Sequence, residues 1–157
     1  MAGLRTDDKG IVMACGACGA QNRVAYARLG ARARCAKCQT DLPAPSTPVD
    51  VATAAHFDAL VRQSPLPVLV DFWAAWCAPC RMVAPEVAKV ASANAGRLLV
   101  VKVDTEAVSD LAARLGIQSI PTLAVYAGGR EAARTAGVMS ADRIEAFIAQ
   151  APTARKH

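Results

Sequence analysis

The sequence lacks the features that mark several large classes of protein. No uninterrupted apolar stretch approaches the length needed to cross a lipid bilayer, and the first nine residues contain two aspartates where a secretory signal would have an apolar core. No internal repeat is present apart from recurring cysteine pairs, and no low-complexity tract is long enough to define a disordered region. From these absences we expect a globular, cytoplasmic protein.

Aromatic residues are also scarce. Phe, Trp and Tyr make up 4% of the 157 residues, and Tyr26 is the only aromatic residue in the first 45. The formal net charge is +5, and residues 1–45 hold seven basic and three acidic side chains, against eleven and ten in the rest of the chain. A basic excess can indicate nucleic-acid binding, but this excess is small and lacks aromatic side chains to stack on bases. We therefore do not expect nucleic acid as a partner.

The sequence does contain six cysteines, arranged as three Cys-x-x-Cys pairs. In a cytoplasmic protein such pairs more often bind metal or carry out redox chemistry than form structural disulfides. Hydrophobic residues make up 54% of the chain, and its length allows one domain of ordinary size with a small additional module. The surroundings of each pair therefore decide its function.

One pair, Cys77 and Cys80, lies where a strand pattern gives way to a helical one. Residues 68–70 form a short apolar run typical of a buried strand, and helical spacing of apolar residues follows at Met82, Val83, Val87, Val90 and Ala91. Cys77 is therefore expected at the helix N-terminus, where unpaired N–H groups and the helix dipole favour its thiolate. Cys80 is one turn further along.

Two other interpretations of this pair are half of a zinc site and two buried structural cysteines. Trp73 and Trp76, together with Pro79 in the first helical turn, favour a redox-active dithiol. We therefore predict that Cys77 attacks a substrate disulfide and that Cys80 resolves the mixed disulfide by displacing the reduced product.

Asp71 is an acidic residue inside this apolar strand. Burial raises the pKa of a carboxyl group, so Asp71 could exchange a proton with Cys80 near neutral pH. The alternative is a structural ion pair with Lys102, which also lies in a predicted buried strand and would hold Asp71 ionised. The residues alone leave both interpretations open.

The other two pairs, Cys15 with Cys18 and Cys35 with Cys38, lie in residues 1–45. Two close pairs at this separation are typical of a four-cysteine zinc ribbon, in which Gly16 and Gly19 allow tight turns. The segment has few large apolar residues, so a metal would stabilise a core that is otherwise too small. The alternatives are two redox dithiols or an accidental cysteine-rich tail. Neither pair has the preceding strand and following long helix of Cys77, which argues against catalysis there.

The remaining pattern predicts an α/β fold. The proline-rich segment 43–48 is expected to be a stiff linker, and Thr53 or a neighbour to cap a first helix, in which His56 is not expected to bind metal. After the dithiol helix come a strand at 98–104, a helix at 108–115, a hairpin of 123–126 with 131–136, and a last helix that opens at Ser140. Alternating strands and helices indicate parallel pairing, so we expect a central mixed sheet flanked by helices.

At the dithiol the sequence resembles the thioredoxin family, whose Trp-Cys-Gly-Pro-Cys motif corresponds to Trp76-Cys77-Ala78-Pro79-Cys80 here. The resemblance covers roughly residues 48–151 and implies the thioredoxin fold. It also implies that Asp71 is a buried acid behind Cys80, with Lys102 as its partner, and that Pro121 is a cis-proline facing the dithiol. Ala78 in place of Gly leaves the redox potential open. The implied substrate-docking surface consists of Trp76, Ala78, Pro79, Ile120, Pro121, Gly137 and Val138.

With its N-terminal cysteines the chain resembles the zinc-binding thioredoxin-2 type. This implies a zinc-ribbon module at 1–45 with a linker to 48, a thioredoxin domain at 49–151, a tail at 152–157, and one structural Zn²⁺ held by Cys15, Cys18, Cys35 and Cys38. The sequence has no nicotinamide or flavin fingerprint, so the implied electron donor is an NADPH-dependent thioredoxin reductase, and the implied substrates are protein disulfides. The alternatives are a zinc-dependent binding or chaperone-like module, and a redox sensor whose N-terminal thiolates release zinc when oxidised.

Overall fold

The computed structural model describes residues 3–152, so most of the tail predicted at 152–157 lies outside the described residues. Ten strands, four α-helices and one short 3-10 helix (Tyr26–Arg28) follow each other along this part of the chain. The strands are β1 (Arg5–Thr6), β2 (Gly10–Ala14), β3 (Gln21–Ala25), β4 (Ala33–Arg34), β5 (Asp41–Leu42), β6 (Val49–Asp50), β7 (Val68–Trp73), β8 (Leu99–Asp104), β9 (Thr122–Ala127) and β10 (Arg130–Ala136). The helices are α1 (Ala54–Gln63), α2 (Ala78–Ala93), α3 (Ser109–Arg114) and α4 (Ala141–Gln150). None of these helices is both long enough and apolar enough to span a membrane.

Eight strands form one mixed sheet in the order β10-β9-β7-β8-β6-β1-β2-β3, and β4 and β5 form a separate two-stranded ribbon. Strand β7 is parallel to β8 and antiparallel to β9, while β9 and β10 form an antiparallel hairpin. The prediction of a mixed central sheet flanked by helices is confirmed. The predicted hairpin of 123–126 with 131–136 is confirmed, with its turn at Gly128-Gly129.

Both faces of the central strands are buried, which explains why their sequences are nearly continuous apolar runs. Along β7, Val68, Val70 and Phe72 face a core that includes side chains of α1 and α3, whereas Leu69 faces a second core with α2 and α4. The alternation follows from the two-residue repeat of a strand. This packing fixes the end of β7, and hence the start of α2, between two layers of helices.

The N-terminal residues extend the same sheet, which the sequence did not lead us to expect. Strand β6 directly follows Pro48 and pairs in parallel with both β8 and β1, and β1 continues into β2 and β3. The buried Thr6 strengthens this junction, since its hydroxyl accepts a hydrogen bond from the Ala52 N–H at 3.0 Å and lies 3.0 Å from Nδ1 of His56. His56 is thus a contact between the two parts of the chain and lies outside the cysteine cluster.

The helix ends follow the capping pattern of the sequence. The hydroxyl of Thr53 accepts a hydrogen bond from the His56 N–H at the start of α1, and that of Ser140 accepts one from the Arg143 N–H at the start of α4. Met82, one of the apolar residues at helical spacing in α2, is 63% exposed. The buried side of α2 consists of Cys80, Val83, Val87, Val90 and Ala91. Cys80 therefore takes the buried position one turn before Val83, and Met82 points away from it.

Candidate functional site

The strand-to-helix junction places Cys77 and Cys80 as the sequence pattern predicts. Cys77 is the N-cap residue of α2, Cys80 lies in its first turn, and the two are joined as a disulfide. The Cys80 N–H donates a hydrogen bond to Sγ of Cys77 at 3.2 Å. In the reduced protein this N–H group and the positive end of the helix dipole would stabilise a Cys77 thiolate. Both cysteines are 3% exposed, and Trp73 packs against the cluster that they form with Ala74.

Asp71 is a buried acid beside this disulfide. It is 1% exposed, and neither of its carboxylate oxygens accepts a hydrogen bond from another group within residues 3–152. Burial raises the pKa of Asp71 from its ordinary value of 3.8 to about 6, although the positive charge of Lys102 acts in the opposite direction. Asp71 is therefore poised to gain or lose a proton close to neutral pH.

Lys102 lies opposite Asp71 in the parallel pair β7–β8, yet the two side chains form no ion pair within 4.0 Å. The Lys102 ammonium instead lies 4.7 Å from the centre of the Trp73 ring, within the range of a cation–π interaction. The raised pKa and this geometry argue against a close ion pair that would hold Asp71 ionised.

A small cavity of about 90 Å³ connects Asp71 with the dithiol, since Asp71, Cys80 and Lys102 all line it. The cavity has room for water, and the charged side chains of Asp71 and Lys102 in its lining offer polar partners, so such a water could carry a proton between the Asp71 carboxylate and the Cys80 thiol. Arg81 lines the same cavity and was missed by the sequence analysis. Its position directly after Cys80 was the available signal.

The predicted docking residues lie beside Cys77, either next to it in the sequence or on the loops around Pro121 and Gly137. The Ile120–Pro121 peptide bond is cis, and the Ile120 carbonyl oxygen lies 3.8 Å from Sγ of Cys77. The Pro121 carbonyl accepts a hydrogen bond from the Gly137 N–H at 3.0 Å, which brings Gly137 and the following Val138 next to this bond. The resulting surface is uneven in exposure, because Pro121 and Cys77 are buried while Trp76, Ala78, Pro79 and Val138 are exposed.

Two exposed residues beside this surface were not anticipated as part of it. The indole N–H of Trp76 points to the carboxylate of Glu106 at 3.4 Å, although Glu106 is 30 residues away in the sequence. Met82, on the exposed side of α2, is one of the three large apolar side chains that are exposed among residues 3–152, together with Trp76 and Val138. No local sequence signal marks Glu106, because its contact depends on the sheet connecting β7 with β8.

The four N-terminal cysteines converge into one cluster. All four sulfur atoms lie within 4.8 Å of one another, with Cys15 and Cys38 at 3.7 Å and Cys18 and Cys35 at 3.6 Å. A tetrahedral zinc site with Zn–S bonds near 2.3 Å has sulfur–sulfur distances of about 3.8 Å. Four thiolates at these separations therefore fit a closed, structural metal site.

Each half of the cluster is built in the same way. The Cys15 carbonyl accepts a hydrogen bond from the Gly19 N–H, and the Cys35 carbonyl accepts one from the Gln39 N–H. Gly19 and Gln39, the residues that follow the second cysteine of each pair, have positive φ values of 78° and 68°. The expectation for Gly19 is confirmed, whereas Gly16 is not in this region of backbone conformation. The Ala17 and Lys37 N–H groups point to the sulfur atoms of Cys15 and Cys35, each at 3.4 Å, and would support them as ligands.

Comparisons with known proteins agree with this architecture. The model of the thioredoxin family matches residues 48–150. Thioredoxin C-3 of Corynebacterium nephridii is 36% identical over 140 residues, which cover 89% of this chain and 94% of that protein. Thioredoxin 1 of Chlorobaculum tepidum is 51% identical over 86 residues, which cover 55% of this chain and 85% of that protein.

Solved structures show the same similarity. A thioredoxin from Plasmodium falciparum superposes with a TM-score of 0.60 at 30% identity, covering 64% of this chain and 96% of that one. A mutant thioredoxin from Halobacterium salinarum gives a TM-score of 0.63 at 27% identity, covering 72% and 97%. The fold, the dithiol at the strand-to-helix junction and these relatives together show that the chain belongs to the thioredoxin family of protein-disulfide oxidoreductases.

Proposed function

We propose that this protein reduces disulfide bonds in other proteins with Cys77 as the nucleophile and Cys80 as the resolving thiol. The observation that carries this proposal is the position of the two cysteines: Cys77 caps α2, and Cys80 shares a cavity with the buried Asp71. Neither N-terminal pair has both a helix N-terminus and a neighbouring buried acid.

The reaction consists of two thiol–disulfide exchanges. The Cys77 thiolate attacks one sulfur of the substrate disulfide, the substrate S–S bond breaks, and its second sulfur leaves as a thiolate that takes up a proton. The Cys80 thiolate then attacks Sγ of Cys77, which forms the Cys77–Cys80 disulfide and releases the first substrate sulfur. Two electrons thus pass from the dithiol to the substrate.

Asp71 serves as the proton acceptor for Cys80 in the second exchange. A thiol must lose its proton before it can attack, and a carboxyl group whose pKa is raised to about 6 can accept a proton and release it again near neutral pH. Lys102 limits this rise in pKa through its positive charge, and it is held in place by Trp73.

The substrate docks on the surface formed by Trp76, Ala78, Pro79, Ile120, Pro121, Gly137 and Val138. Its exposed apolar side chains would contact the substrate, and the Ile120 backbone next to Cys77 would pair with an extended substrate segment. A disulfide in such a segment would lie beside Sγ of Cys77.

The cysteine cluster is proposed to hold one structural Zn²⁺, which would place the protein in the zinc-binding thioredoxin-2 type. The sulfur separations and the paired turns support this assignment. When bound, zinc supplies cross-links for a segment with a small core of its own, and the ligands are Cys15, Cys18, Cys35 and Cys38. The division into a zinc module at 1–45 and a thioredoxin domain at 49–151 stays a prediction.

The electrons are proposed to come from an NADPH-dependent thioredoxin reductase, and the working compartment to be the cytoplasm. The support for the first is the family and the lack of a nicotinamide or flavin fingerprint in the sequence. The support for the second is the arrangement of the six cysteines in three Cys-x-x-Cys pairs, because in a reducing compartment such pairs bind metal or carry out redox chemistry.

A trapping experiment tests the assignment of the two thiols. Cys80→Ser should accumulate a mixed disulfide between Cys77 and a protein substrate, because the resolving thiol is missing, while Cys77→Ser should accumulate none. The adducts are counted on non-reducing gels and located by peptide mass spectrometry. Adducts on the remaining cysteine of Cys77→Ser, with none on Cys80→Ser, would reverse the assigned roles.

A further inference from the structure

An open cavity of about 490 Å³ lies at the other end of the sheet from the dithiol. Strand β3, the loop after the 3-10 helix and the β4–β5 ribbon surround it, and four arginines contribute to its lining: Arg23, Arg28, Arg32 and Arg34. Its other lining residues include the aliphatic Val24 and Leu42. The cavity thus combines guanidinium groups with apolar surface, and nothing in the proposed redox reaction uses it.

Two aspartates balance part of this charge. Arg23 pairs with Asp7 at 2.6 Å, and Asp41 accepts two hydrogen bonds from the guanidinium of Arg32, at 3.2 and 2.9 Å. Asp41 also lies 3.6 Å from Arg34. Four arginines and two aspartates leave two positive charges.

Arg28 is the arginine with the most freedom to bind a ligand. Within residues 3–152 it forms no ion pair within 4.0 Å. Arg34 shares its one carboxylate with Arg32, so its guanidinium also retains free donors. Guanidinium groups bind carboxylates through two parallel hydrogen bonds, as Arg32 and Asp41 already do in this cavity.

The chemistry favours an acidic protein segment over a nucleic acid. The two unbalanced positive charges can pair with a few carboxylates but are too few to follow a phosphate backbone. Single-stranded nucleic acid would also need aromatic side chains for stacking, but Tyr26, the aromatic residue of this region, is fully buried and donates its hydroxyl to the Asp7 carbonyl. A protein segment with a few carboxylates next to aliphatic side chains would match both the arginines and the apolar residues that line the cavity.

We propose that this cavity binds an acidic segment of a partner protein, with carboxylates on Arg28 and Arg34 and an aliphatic side chain against Val24 and Leu42. Four strands separate β3 from β7 in the sheet. At the usual spacing of strands this distance is about 24 Å, so the cavity is separate from the dithiol. The binding does not depend on the proposed redox function.

Fluorescence anisotropy with the full-length, metal-loaded protein tests this proposal. The probe is a fluorescein-labelled peptide of alternating Glu and Leu, and the comparison peptide alternates Gln and Leu. Arg28→Glu combined with Arg34→Glu should weaken binding of the acidic peptide at least about tenfold, because it removes charged hydrogen bonds and adds repulsion. Arg28→Ala, which keeps every ion pair of the cavity, should weaken it by a smaller factor.

Arg143→Glu is the matched control, because it reverses an exposed charge in the first turn of α4, where an acidic residue suits the helix N-terminus. It should leave peptide binding unchanged, and circular dichroism should show that all variants are folded. Equal binding of the Gln peptide, equal weakening by Arg143→Glu, or no binding of the acidic peptide would overturn the proposal. Tighter binding of single-stranded RNA or inorganic triphosphate than of the acidic peptide would overturn it as well.

Discussion

Replacing Asp71 by Asn removes a buried charge while keeping the size and shape of the side chain. In the folded protein burial raises the pKa of Asp71 to about 6, from an ordinary value of 3.8. A difference of about two pKa units, at about 1.4 kcal/mol for each, corresponds to roughly 3 kcal/mol. At pH 7 Asp71 is ionised, so its burial lowers the free energy of unfolding of wild type by this amount. Asn at the same position has no charge, so this loss is absent in Asp71→Asn. We therefore expect Asp71→Asn to be more stable than wild type at pH 7 by about 3 kcal/mol.

The stability difference between Asp71→Asn and wild type depends on pH, because Asp71 has a higher pKa in the folded than in the unfolded chain. Below about pH 4 Asp71 is neutral in both the folded and the unfolded chain, so its burial does not lower the free energy of unfolding. As the pH rises towards 6 the unfolded chain has already lost the proton that the folded chain retains, and the stability of wild type falls. Above about pH 6 both states are ionised and the full cost remains. The stability difference between Asp71→Asn and wild type should therefore be small at pH 4 and largest above pH 6.

Urea unfolding from pH 4 to pH 7.5, with the Cys77–Cys80 disulfide intact, measures this difference. Asp8→Asn is the control, because it makes the same chemical change at an exposed position, and it should give a small difference that varies little with pH. The rate of substrate reduction by wild type should change near pH 6, and this change should be missing in Asp71→Asn. An Asp71→Asn protein that is less stable than wild type at pH 7, or a stability difference independent of pH, would show that burial of Asp71 does not raise its pKa.

Two further predictions concern the N-terminal residues. Thr6→Val leaves the Ala52 N–H without its hydrogen bond, so urea unfolding should show a free energy of unfolding about 2 kcal/mol lower than that of wild type. Thr47→Val makes the same change at an exposed position and should change this free energy little. Equal effects of the two substitutions would show that the Thr6 hydrogen bond does not stabilise the junction. Cys35→Ser should reduce bound zinc well below one per chain. Because the metal cross-links the N-terminal strands, amide hydrogen exchange should become faster, relative to wild type, by a larger factor in β2 and β3 than in β7 and β9. Full retention of zinc would exclude Cys35 as a ligand.

The central part of the fold could be predicted because its sequence signals are local. The apolar run of β7, the helical spacing after Cys77 and the caps at Thr53 and Ser140 each depend on residues within a few positions. The same applies to the cysteine cluster, since two short turns of fixed spacing are enough to identify it.

The junction of the two parts of the chain could not be predicted from the sequence. Strands β1 and β6 have two residues each, which is too short for a recognisable alternation, and their pairing joins positions about 45 residues apart. The environment of Lys102 likewise depends on packing, because its distance from Trp73 and its separation from Asp71 follow from side-chain positions across β7 and β8. The exposure of Met82 was open to prediction, since Cys80 and Val83 already define the buried side of α2.

The shared sheet also affects how function is tested. Ile11, Tyr26 and Leu29 belong to the same core as Phe57 and other residues of the C-terminal part. Deleting residues 1–45 would therefore expose apolar surface as well as remove the cysteine cluster. Single substitutions that leave this core intact separate the two effects.

NADPH-coupled reduction of insulin disulfides with a thioredoxin reductase is the decisive experiment on this protein, comparing wild type with Cys77→Ser and measuring bound zinc on the same samples. We expect activity in wild type, none in Cys77→Ser, and one zinc per chain in both, because the dithiol and the cysteine cluster are separate sites. Activity that survives in Cys77→Ser, or a wild type that binds zinc but reduces no insulin, would contradict this expectation.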